Sequence, residues 1–343
     1  MIHANPVLAV VTRSGRVEST HRGAIAIVHG GEPALAIGDV QRPAYARSAV
    51  KPLQALPFLE RGLDERLGLS EREIAIMCAS HDGTPLHTAT VQALLARGAL
   101  GADDLGCGPH APFDPESRRE LLRRDERPSK LHNNCSGKHS GFLHLARELG
   151  EDLAGYLDPG SRAQLEVQAA VAAMAGIDGA LEIGLDGCGA PTFSLPLQAL
   201  ARGFGRLAGP DGLAPVRAAA CRKILAAAGR EPACLAGERR FCTALLRQWP
   251  GRAFAKNGAE GVYAVALAAD PSRRHWPEAV GIAVKIDDGA ERGYQPVIVE
   301  VLRRLGALPD GIPEALAKFA QVPVLITQRR QVGDVHAVFE WPA

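Results

Sequence analysis

The spacing of hydrophobic and polar positions changes along this chain, and the changes divide it into segments. Short apolar runs rich in Val, Ile and Ala lie near both ends, which predicts strands there. The turn pairs Ser14-Gly15 and Gly30-Gly31 separate the first runs and predict a meander. Strands are predicted over 7–11, 24–28, 33–37, 253–255, 262–267, 278–286 and 335–339.

Between the strand-forming ends, apolar positions recur with helical spacing. Ser70 stands three residues before Glu73 and ahead of an apolar run, which predicts a capping box, and Thr84-Pro85 opens the next helix. Ser80 falls on the loop between these two helices. Other helices are predicted over 115–124, 138–149, 160–175, 193–204, 213–228, 238–248 and 292–305 and after residue 313, with a short strand over 181–185.

The order of strands, many helices, strands and a helix predicts an α+β fold. An antiparallel sheet made from both chain ends would be flanked by helices, with a mostly helical lobe inserted between its halves. We expect residues 1–47 and 251–343 to form the sheet-containing lobe, residues 48–250 to form the helical lobe, and the active site to lie between them. A chain of 343 residues is long enough for two lobes.

Composition excludes several classes of partner. The net charge is +1 with no basic stripe, so nothing indicates binding to nucleic acid or anionic lipid. No apolar run reaches the roughly 18 residues of a membrane span, and residues 1–6 lack a signal-peptide pattern. Seven cysteines, an odd number, favour free thiols over disulfides. We therefore expect a cytoplasmic protein with a small-molecule partner.

Ser48 and Lys51 lie three residues apart where a helix is predicted to begin, which sets both side chains on one helical face. A serine hydroxyl is a poor nucleophile at neutral pH unless a base takes its proton, and a neutral amine can do so. The same spacing occurs in serine β-lactamases and penicillin-binding proteins. Alone, the pattern is also typical of an exposed helix without a catalytic role.

Two further segments favour the catalytic interpretation. Lys256-Asn257-Gly258 leaves an inner strand as the Lys-Thr-Gly element of β-lactamase-like enzymes does, and Ser80 occurs in the order of their second serine. Lysine is also scarce, with seven residues among 39 basic ones. A buried amine can lose its proton whereas a guanidinium cannot, although a coding bias toward arginine explains the scarcity equally well.

With Cys135, Lys138, Asp186 and Cys188 added, the chain closely resembles the asparaginase II family, the rhizobial-type L-asparaginases related to serine glutaminases and β-lactamases. The matching stretches span most of the chain: RSAVKPLQALP, CASHDGTPLH, LHNNCSGKHSGFL, DGCGAPTFSLPL, AKNGAEGVYA and GIAVKIDDGAERG. The resemblance implies a β-lactamase/glutaminase-like fold, a homodimer, and hydrolysis of free L-asparagine to L-aspartate and ammonia with little use of glutamine.

The resemblance also implies two catalytic pairs, Ser48 with Lys51 and Ser80 with Lys256. A side-chain amide is a poor electrophile, so its hydrolysis favours a covalent acyl step. Ser48 would attack while Lys51 accepts the proton, and Lys256 would supply the neighbouring cation that keeps Lys51 neutral. Ser80 would relay the proton to the departing ammonia, and the backbone N–H of Ser48 would form half of an oxyanion hole.

A zinc ion bound by Cys135, Lys138 and Cys188 is implied by the resemblance as well, in a role of gripping substrate. Spacing alone does not indicate it, because lysine is a rare zinc ligand whose amine must be neutral. A competing hypothesis makes Cys135 or Cys188 a nucleophilic thiol of low pKa. Cys221, Cys234 and Cys242, on amphipathic helices, are interpreted as core residues.

Substrate capture needs a cation for the α-carboxylate and an acceptor for the α-ammonium group. Arg47 and His139 are the candidates for the first role and Asp186 for the second. The alternative for each is hydrogen bonding within its own loop.

Two rival functions stay open. In a zinc-dependent amidase, a metal-bound water would attack directly, so a chelator would abolish turnover while Ser48→Ala would only slow it. A binding protein of the same fold would hydrolyse nothing, and an assay of ammonia release separates it from both enzymes.

Overall fold

A computed structural model describes residues 4–272, 277–308 and 310–342 of the chain. Met1–His3, part of the segment considered for a signal peptide, lie outside the described residues. The chain divides into two compact units. The sheet unit comprises Met1–Ala49, Leu195–Gly209 and Ala255–Ala343, and the helical unit comprises Val50–Ser194 and Pro210–Phe254.

The strands are β1 (Val7–Arg13), β2 (Arg16–His29), β3 (Glu32–Ile37), β4 (Pro43–Tyr45), β5 (Glu182–Leu185), β6 (Pro191–Pro196), β7 (Ala253–Gly258), β8 (Val262–Leu267), β9 (Val280–Ile286), β10 (Val322–Leu325) and β11 (Gln331–Ala337). The helices are α1 (Lys51–Gln54), α2 (Leu56–Glu60), α3 (Leu63–Arg66), α4 (Glu71–Met77), α5 (Pro85–Ala96), α6 (Pro115–Arg123), α7 (Ser136–Glu148), α8 (Arg162–Ala175), α9 (Leu197–Ala208), α10 (Pro215–Arg230), α11 (Pro232–Leu235), α12 (Phe241–Leu246), α13 (Glu291–Arg304) and α14 (Glu314–Ala320).

The sheet unit is built on one sheet with the strand order β10-β11-β1-β2-β9-β8-β7, and β3 also pairs with β2. The pairings β1–β2, β1–β11, β2–β3, β2–β9, β8–β9 and β10–β11 are all antiparallel. The sheet thus joins strands from both ends of the chain. The prediction of an α+β fold with an antiparallel sheet and helices is confirmed.

Two-residue turns connect the first three strands. Ser14 and Gly15 have φ of 49° and 79°, and Gly30 and Gly31 have φ of 56° and 93°. Positive φ at both central residues gives a turn whose twist matches that of the flanking strands. The meander predicted from these residue pairs is therefore confirmed.

Helix α9 belongs to the sheet unit, which corrects the predicted helical lobe of residues 48–250. It packs against β2, β8 and β9. A Cβ on Gly281 of β9 would lie 1.9 Å from the carbonyl oxygen of Ala201, so the helix backbone lies directly on the strand. Because Gly281 lets α9 lie against β9, this helix packs with the sheet unit and not with the helical unit. Helical periodicity in the sequence does not reveal that contact.

The helical unit gathers α1–α8 and α10–α12. Ser70 and Glu73 form the predicted capping box at the start of α4, because each side chain accepts a hydrogen bond from the other residue's backbone N–H. Helix α7 packs against α4. A Cβ on Gly137 of α7 would lie 2.1 Å from the carbonyl oxygen of Ile76 on α4, so this position requires glycine.

A hairpin replaces part of a predicted helix in the same unit. Strands β5 and β6 pair antiparallel from Glu182–Ser194 to Leu185–Pro191. Helix was expected from residue 193, but Phe193 lies in β6 and is buried there. Cross-strand pairing fixes this segment, and that pairing is not local in sequence.

All seven cysteines are buried free thiols. Cys221, Cys234 and Cys242 lie in the core of the helical unit, as interpreted from sequence. Among residues 4–272, 277–308 and 310–342, no helix combines the length and apolar character required to cross a membrane.

Candidate active site

Ser48 lies in a short 3-10 helix, Arg47–Val50, that runs directly into α1 at Lys51. Arg47 begins this helix with a positive φ of 50°, a conformation that non-glycine residues seldom adopt. Pro52 occupies the first turn of α1, where proline is tolerated. Ser48 belongs to the sheet unit and Lys51 belongs to the helical unit.

Strand β7 ends against the turn that carries Ser48, within the sheet unit. A Cβ on Gly258 would lie 2.8 Å from the carbonyl oxygen of Ala46 and 3.2 Å from the backbone nitrogen of Ala49. Lys256, two residues earlier, is fully buried, and its Nζ donates to the backbone oxygen of Asn257 at 2.8 Å and to its Oδ1 at 3.0 Å. The sheet unit therefore brings the Lys256 segment to the Arg47-Ser48 segment.

Lys51 is a buried amine of the helical unit, with 1% of its surface exposed. Its Nζ donates to the carbonyl oxygen of Ala79 and to Ser80 Oγ at 3.0 Å. It also lies 3.2 Å from Cys135 Sγ. The sequence analysis paired Lys51 with Ser48 alone, and the contact with Ser80 is an additional finding.

The loop after α4 holds Ser80 through backbone contacts. The N–H of Ser80 donates to the carbonyl oxygen of Leu235 at 3.1 Å, and the N–H of Asp82 donates to that of Ala236 at 2.8 Å. His81, between them, contacts Ser136 Oγ through Nε2 at 2.9 Å. Ser80 thus lies on the predicted helix-loop-helix and is held on a well-bonded backbone.

Two cysteine thiols and the Lys138 amine meet at the start of α7. Cys188, in the turn of the β5–β6 hairpin, is hydrogen-bonded to Cys135, and Lys138 Nζ donates to Cys188 Sγ at 3.3 Å. This bond from Cys188, together with the charges of Lys51 and Lys138, holds the pKa of Cys135 well below its usual value despite burial. The pKa of Cys188 is raised by the same bond and by burial.

The charge of Asp186 also acts on this cluster. Asp186 is half-buried in the hairpin turn, where its backbone N–H donates to Ala190 at 2.9 Å. Burial lowers the pKa of Lys138, but the electrostatic interactions of its amine with Cys188, Cys135 and Asp186 outweigh burial and raise the pKa overall. Lys138 therefore carries a proton in this arrangement.

His139 is buried next to Lys138 on α7. Burial, reinforced by the charges of Lys138 and Lys51, holds the pKa of His139 well below its usual value, so the ring is neutral at pH 7. Its Nδ1 lies 2.6 Å from the hydroxyl of Tyr156. His139 can therefore donate or accept a hydrogen bond, but it does not supply the cation that the sequence analysis considered.

These contacts define which candidate residues come together. In the helical unit, Lys51, Ser80 and Cys135 are linked by direct contacts, and Cys188, Lys138 and Asp186 continue the cluster. In the sheet unit, Arg47, Ser48 and Lys256 lie on two neighbouring segments. Tyr156 was missed by the sequence analysis, because its loop carries no motif that marks it.

Cys135, Lys138 and Cys188 offer two thiols and one amine as ligands for a zinc ion. The described part of the chain has no cluster of three or more His, Cys, Asp or Glu side chains arranged for a metal, and this set includes only two residues of those types. Cys188 Sγ nevertheless lies within hydrogen-bond distance of both Cys135 and Lys138 Nζ, close to the roughly 3.5 Å that separates neighbouring ligands of tetrahedral zinc. Two thiols and one amine thus fit a three-ligand site with one open position.

A buried amine in contact with a serine hydroxyl is an arrangement suited to hydrolysis of acyl compounds, and the chain is an amidohydrolase. It belongs to the L-asparaginase II family, whose family model matches residues 9–337. The family membership predicted from the sequence motifs is confirmed. No curated protein matches the chain in sequence.

Several solved structures are distantly similar to the chain. The native form of Mglu is 16% identical with a TM-score of 0.42, and the match covers 83% of this chain and 64% of that one. A β-lactamase from Burkholderia ambifaria is 17% identical with a TM-score of 0.41, covering 85% and 96%. A probable glutaminase from Bacillus subtilis, complexed with 6-diazo-5-oxo-L-norleucine, is 12% identical with a TM-score of 0.38, covering 83% of each chain.

Proposed function

We propose that this protein is an L-asparaginase that hydrolyses free L-asparagine to L-aspartate and ammonia through an acyl-enzyme on Ser48. The observation that carries the proposal is the buried Lys51 amine in contact with Ser80, because Lys51 begins α1 directly after the 3-10 helix, Arg47–Val50, that contains Ser48. Family membership supports an amide substrate. The presence of two serines and two buried lysines supports covalent catalysis with internal proton transfer.

In the proposed first step, Ser48 Oγ attacks the side-chain carbonyl carbon of asparagine and Lys51 Nζ accepts the hydroxyl proton. The backbone N–H of Ser48 stabilises the negative charge that develops on the carbonyl oxygen. Ser80, already bonded to Lys51, passes a proton to the departing ammonia. Water then attacks the aspartyl ester, and Ser48 is released with its proton. Lys256, the second amine of the proposed mechanism, supplies the positive charge that keeps Lys51 neutral.

Charge complementarity supports a small amino acid as the substrate. Arg47 supplies a fixed positive charge for the α-carboxylate, and Asp186 supplies an acceptor for the α-ammonium group. Arg47 precedes the proposed nucleophile directly, so the carboxylate would be bound one residue from the reacting hydroxyl. Glutamine carries one more methylene between these groups and its amide, which would displace the amide carbon from Ser48.

We infer that Cys135, Lys138 and Cys188 hold a zinc ion. Bound there, zinc would add a positive charge that grips the substrate. Lys138 must lose its proton to bind the metal, so affinity for zinc rises with pH. Asp186, whose charge acts on Lys138 and Cys135, would orient this group of ligands. We further infer a cytoplasmic homodimer, the assembly that the family resemblance implies.

The decisive experiment is the intact mass of the protein after acid quenching during turnover of L-asparagine or of the β-methyl ester of L-aspartate. We expect an aspartyl adduct, located at Ser48 by peptide mapping and absent from Ser48→Ala. Ammonia release is measured in parallel, with Ser117→Ala, on the exposed helix α6, as the matched control.

Each other outcome contradicts a specific part of the proposal. An adduct on Ser80 would exchange the roles of the two serines, and one on Cys135 or Cys188 would support a thiol nucleophile. Turnover without any adduct, lost when a chelator is added, would support the zinc-dependent amidase. An absence of ammonia release would leave a binding protein.

A further inference from the structure

A chain of hydrogen bonds leads from a backbone amide to His139. The N–H of Gly106 donates to the hydroxyl oxygen of Tyr156 at 2.8 Å, and the same hydroxyl lies 2.6 Å from His139 Nδ1. The two rings meet edge to face at 5.8 Å. Both side chains are buried, with 2% of Tyr156 and none of His139 exposed. All three residues belong to the helical unit, so their geometry is set within one compact body.

The direction of the bond between the two rings follows from their supply of protons. If Nδ1 carried a proton and its N–H donated a hydrogen bond to the hydroxyl oxygen of Tyr156, the phenolic O–H would need another acceptor. The described residues provide none. Nε2 would then lack a proton as well, in a buried position without a donor. If Tyr156 donates to Nδ1, the phenol is fully satisfied and only Nε2–H is left over. The second arrangement leaves fewer buried polar groups without a partner and is therefore favoured.

This arrangement gives His139 a defined tautomer with its proton on Nε2. Within the described residues, Nε2 is buried and contacts no hydrogen-bond partner. A buried donor without a partner is unfavourable, so the site favours any ligand that brings an acceptor to it. His139 also directly follows Lys138 on α7, which places it next to a residue of the proposed site.

We propose that Tyr156 is a positioning residue that fixes His139 as a neutral Nε2–H donor to an α-carboxylate oxygen of the bound amino acid. The inference rests on the proposed function, because the amino acid is the substrate or product of that reaction. Because Nε2–H is a donor, it can bind a hydrogen-bond acceptor such as a carboxylate oxygen, but it cannot bind the α-ammonium group, which is itself a donor. The Tyr156–His139 pair thereby sets the orientation of the zwitterion.

The tautomer is tested by NMR on protein labelled with ¹⁵N-histidine, without ligand. The His139 signals are assigned among the 11 histidines by their loss in His139→Gln. We expect Nδ1 unprotonated and Nε2 protonated in the wild type, and a mixture of tautomers in Tyr156→Phe. A protonated Nδ1 in the wild type, or an unchanged ratio in Tyr156→Phe, would overturn the proposal. This readout does not depend on turnover, so it separates failure of the inference from failure of the proposed function.

Ligand contact is tested by adding L-aspartate, with succinamide as a matched molecule without the α-carboxylate and ammonium groups. We expect a shift of the His139 Nε2 signal with L-aspartate alone. An unchanged signal at saturating L-aspartate, with saturation verified by calorimetry, would overturn the contact.

Two substitutions at the same position separate the two ring nitrogens. The amide nitrogen of glutamine in His139→Gln reaches the position of Nε2, whereas that of asparagine in His139→Asn reaches only the position of Nδ1. We expect His139→Gln to keep KM for L-asparagine near that of the wild type. His139→Asn should raise KM by about 10-fold or more, the effect of one lost bond to a charged group, with a smaller change in kcat. Equal KM values for the two variants, or a Tyr156→Phe variant with unchanged KM, would overturn the assignment.

Discussion

The Lys51 amine and the Ser80 hydroxyl, 29 residues apart in sequence, lie 3.0 Å from each other and are buried in the helical unit. Sequence spacing points to Ser48 as the partner of Lys51, because three residues place both on one helical face. The contact with Ser80 gives Lys51 a second serine, in addition to Ser48, in the proposed mechanism. A base shared between attack and leaving-group protonation needs such an arrangement, since both steps move a proton through one site.

The shared-base role predicts that Lys51→Arg loses activity although it keeps the positive charge. A guanidinium does not give up its proton at neutral pH, so it cannot accept one from serine. We expect kcat for L-asparagine to fall by about 10²-fold to 10⁴-fold, the usual contribution of a general base. Ammonia release measures the effect, and near-ultraviolet circular dichroism checks that the buried site still folds. A folded Lys51→Arg variant with more than about a tenth of wild-type kcat would show that Lys51 acts through its charge alone.

Two glycines on α7 predict different responses of stability to substitution by alanine. Gly137→Ala would bring a methyl group to 2.1 Å from the carbonyl oxygen of Ile76, part of the α4 backbone, which cannot move without displacing the loop of Ser80. We expect it to lower the free energy of unfolding by about 2–3 kcal/mol, in the range of overpacked cores. In Gly141→Ala, the new methyl meets the flexible Met77 side chain at 3.0 Å, and the gain in helix propensity offsets the contact.

Urea unfolding at pH 7 measures both variants against the wild type. The ordering matters more than either value, because the two substitutions are chemically identical and lie one helical turn apart. If Gly141→Ala were as destabilising as Gly137→Ala, the close approach of α7 to α4 would not explain the glycine at position 137.

The parts of the fold that can be predicted from the sequence are those set by interactions between neighbouring residues. The turn pairs Ser14-Gly15 and Gly30-Gly31 and the capping box of Ser70 and Glu73 act over two to four residues, and the structure confirms them. The assignment of α9 to the sheet unit depends instead on Gly281, about 80 residues away. Nothing in the residues of α9 itself indicates that contact, so the predicted lobe boundaries were wrong there.

The candidate site shows the same division. Motifs identify Ser80 and Lys51 individually, but only the folded helical unit brings Cys135 to within 3.2 Å of Lys51. Tyr156 could not be found from sequence, because one tyrosine in a loop carries no spacing signal. His139 was expected to be a cation, and its burial makes it neutral. Charge states depend on burial, which a linear pattern describes only approximately.

The buried carboxylate of Glu73 predicts an acid-sensitive contribution to stability. Burial alone would raise its pKa, but hydrogen bonds from Arg97 and Ser70 outweigh burial and lower it below 4.5. Because the folded state holds the charged form, its contribution is complete above the pKa of the unfolded chain and is lost as the pH falls through the lowered pKa. Glu73→Gln keeps the shape of the capping box but removes the negative charge that Arg97 and Ser70 bind, so it should reduce the free energy of unfolding at pH 7 by about 1–2 kcal/mol.

Urea unfolding of Glu73→Gln and wild type at several pH values checks this prediction. The difference between them should shrink as the pH falls below 4.5. Glu120→Gln is the matched control, because Glu120 pairs with Arg123 and Arg124 on the exposed helix α6 and should change stability less. A pH-independent difference for Glu73→Gln would mean that the charge of Glu73 contributes nothing and that only the shape of the cap matters.

The two thiols at the start of α7 predict the metal content of the purified protein. If Cys135, Lys138 and Cys188 hold zinc, the wild type should contain about one zinc per chain, and Cys188→Ala should bind it far more weakly because one of three ligands is lost. Cys221→Ala removes a buried thiol from the core of the helical unit and should keep its zinc, which makes it the control. Atomic emission spectrometry on dialysed protein gives the stoichiometry.

Removal of zinc by a chelator should raise KM for L-asparagine more than it lowers kcat, since the metal is proposed to grip the substrate while the serine and lysine residues carry out the chemistry. Complete loss of kcat at saturating L-asparagine, restored by added zinc, would contradict that division of roles.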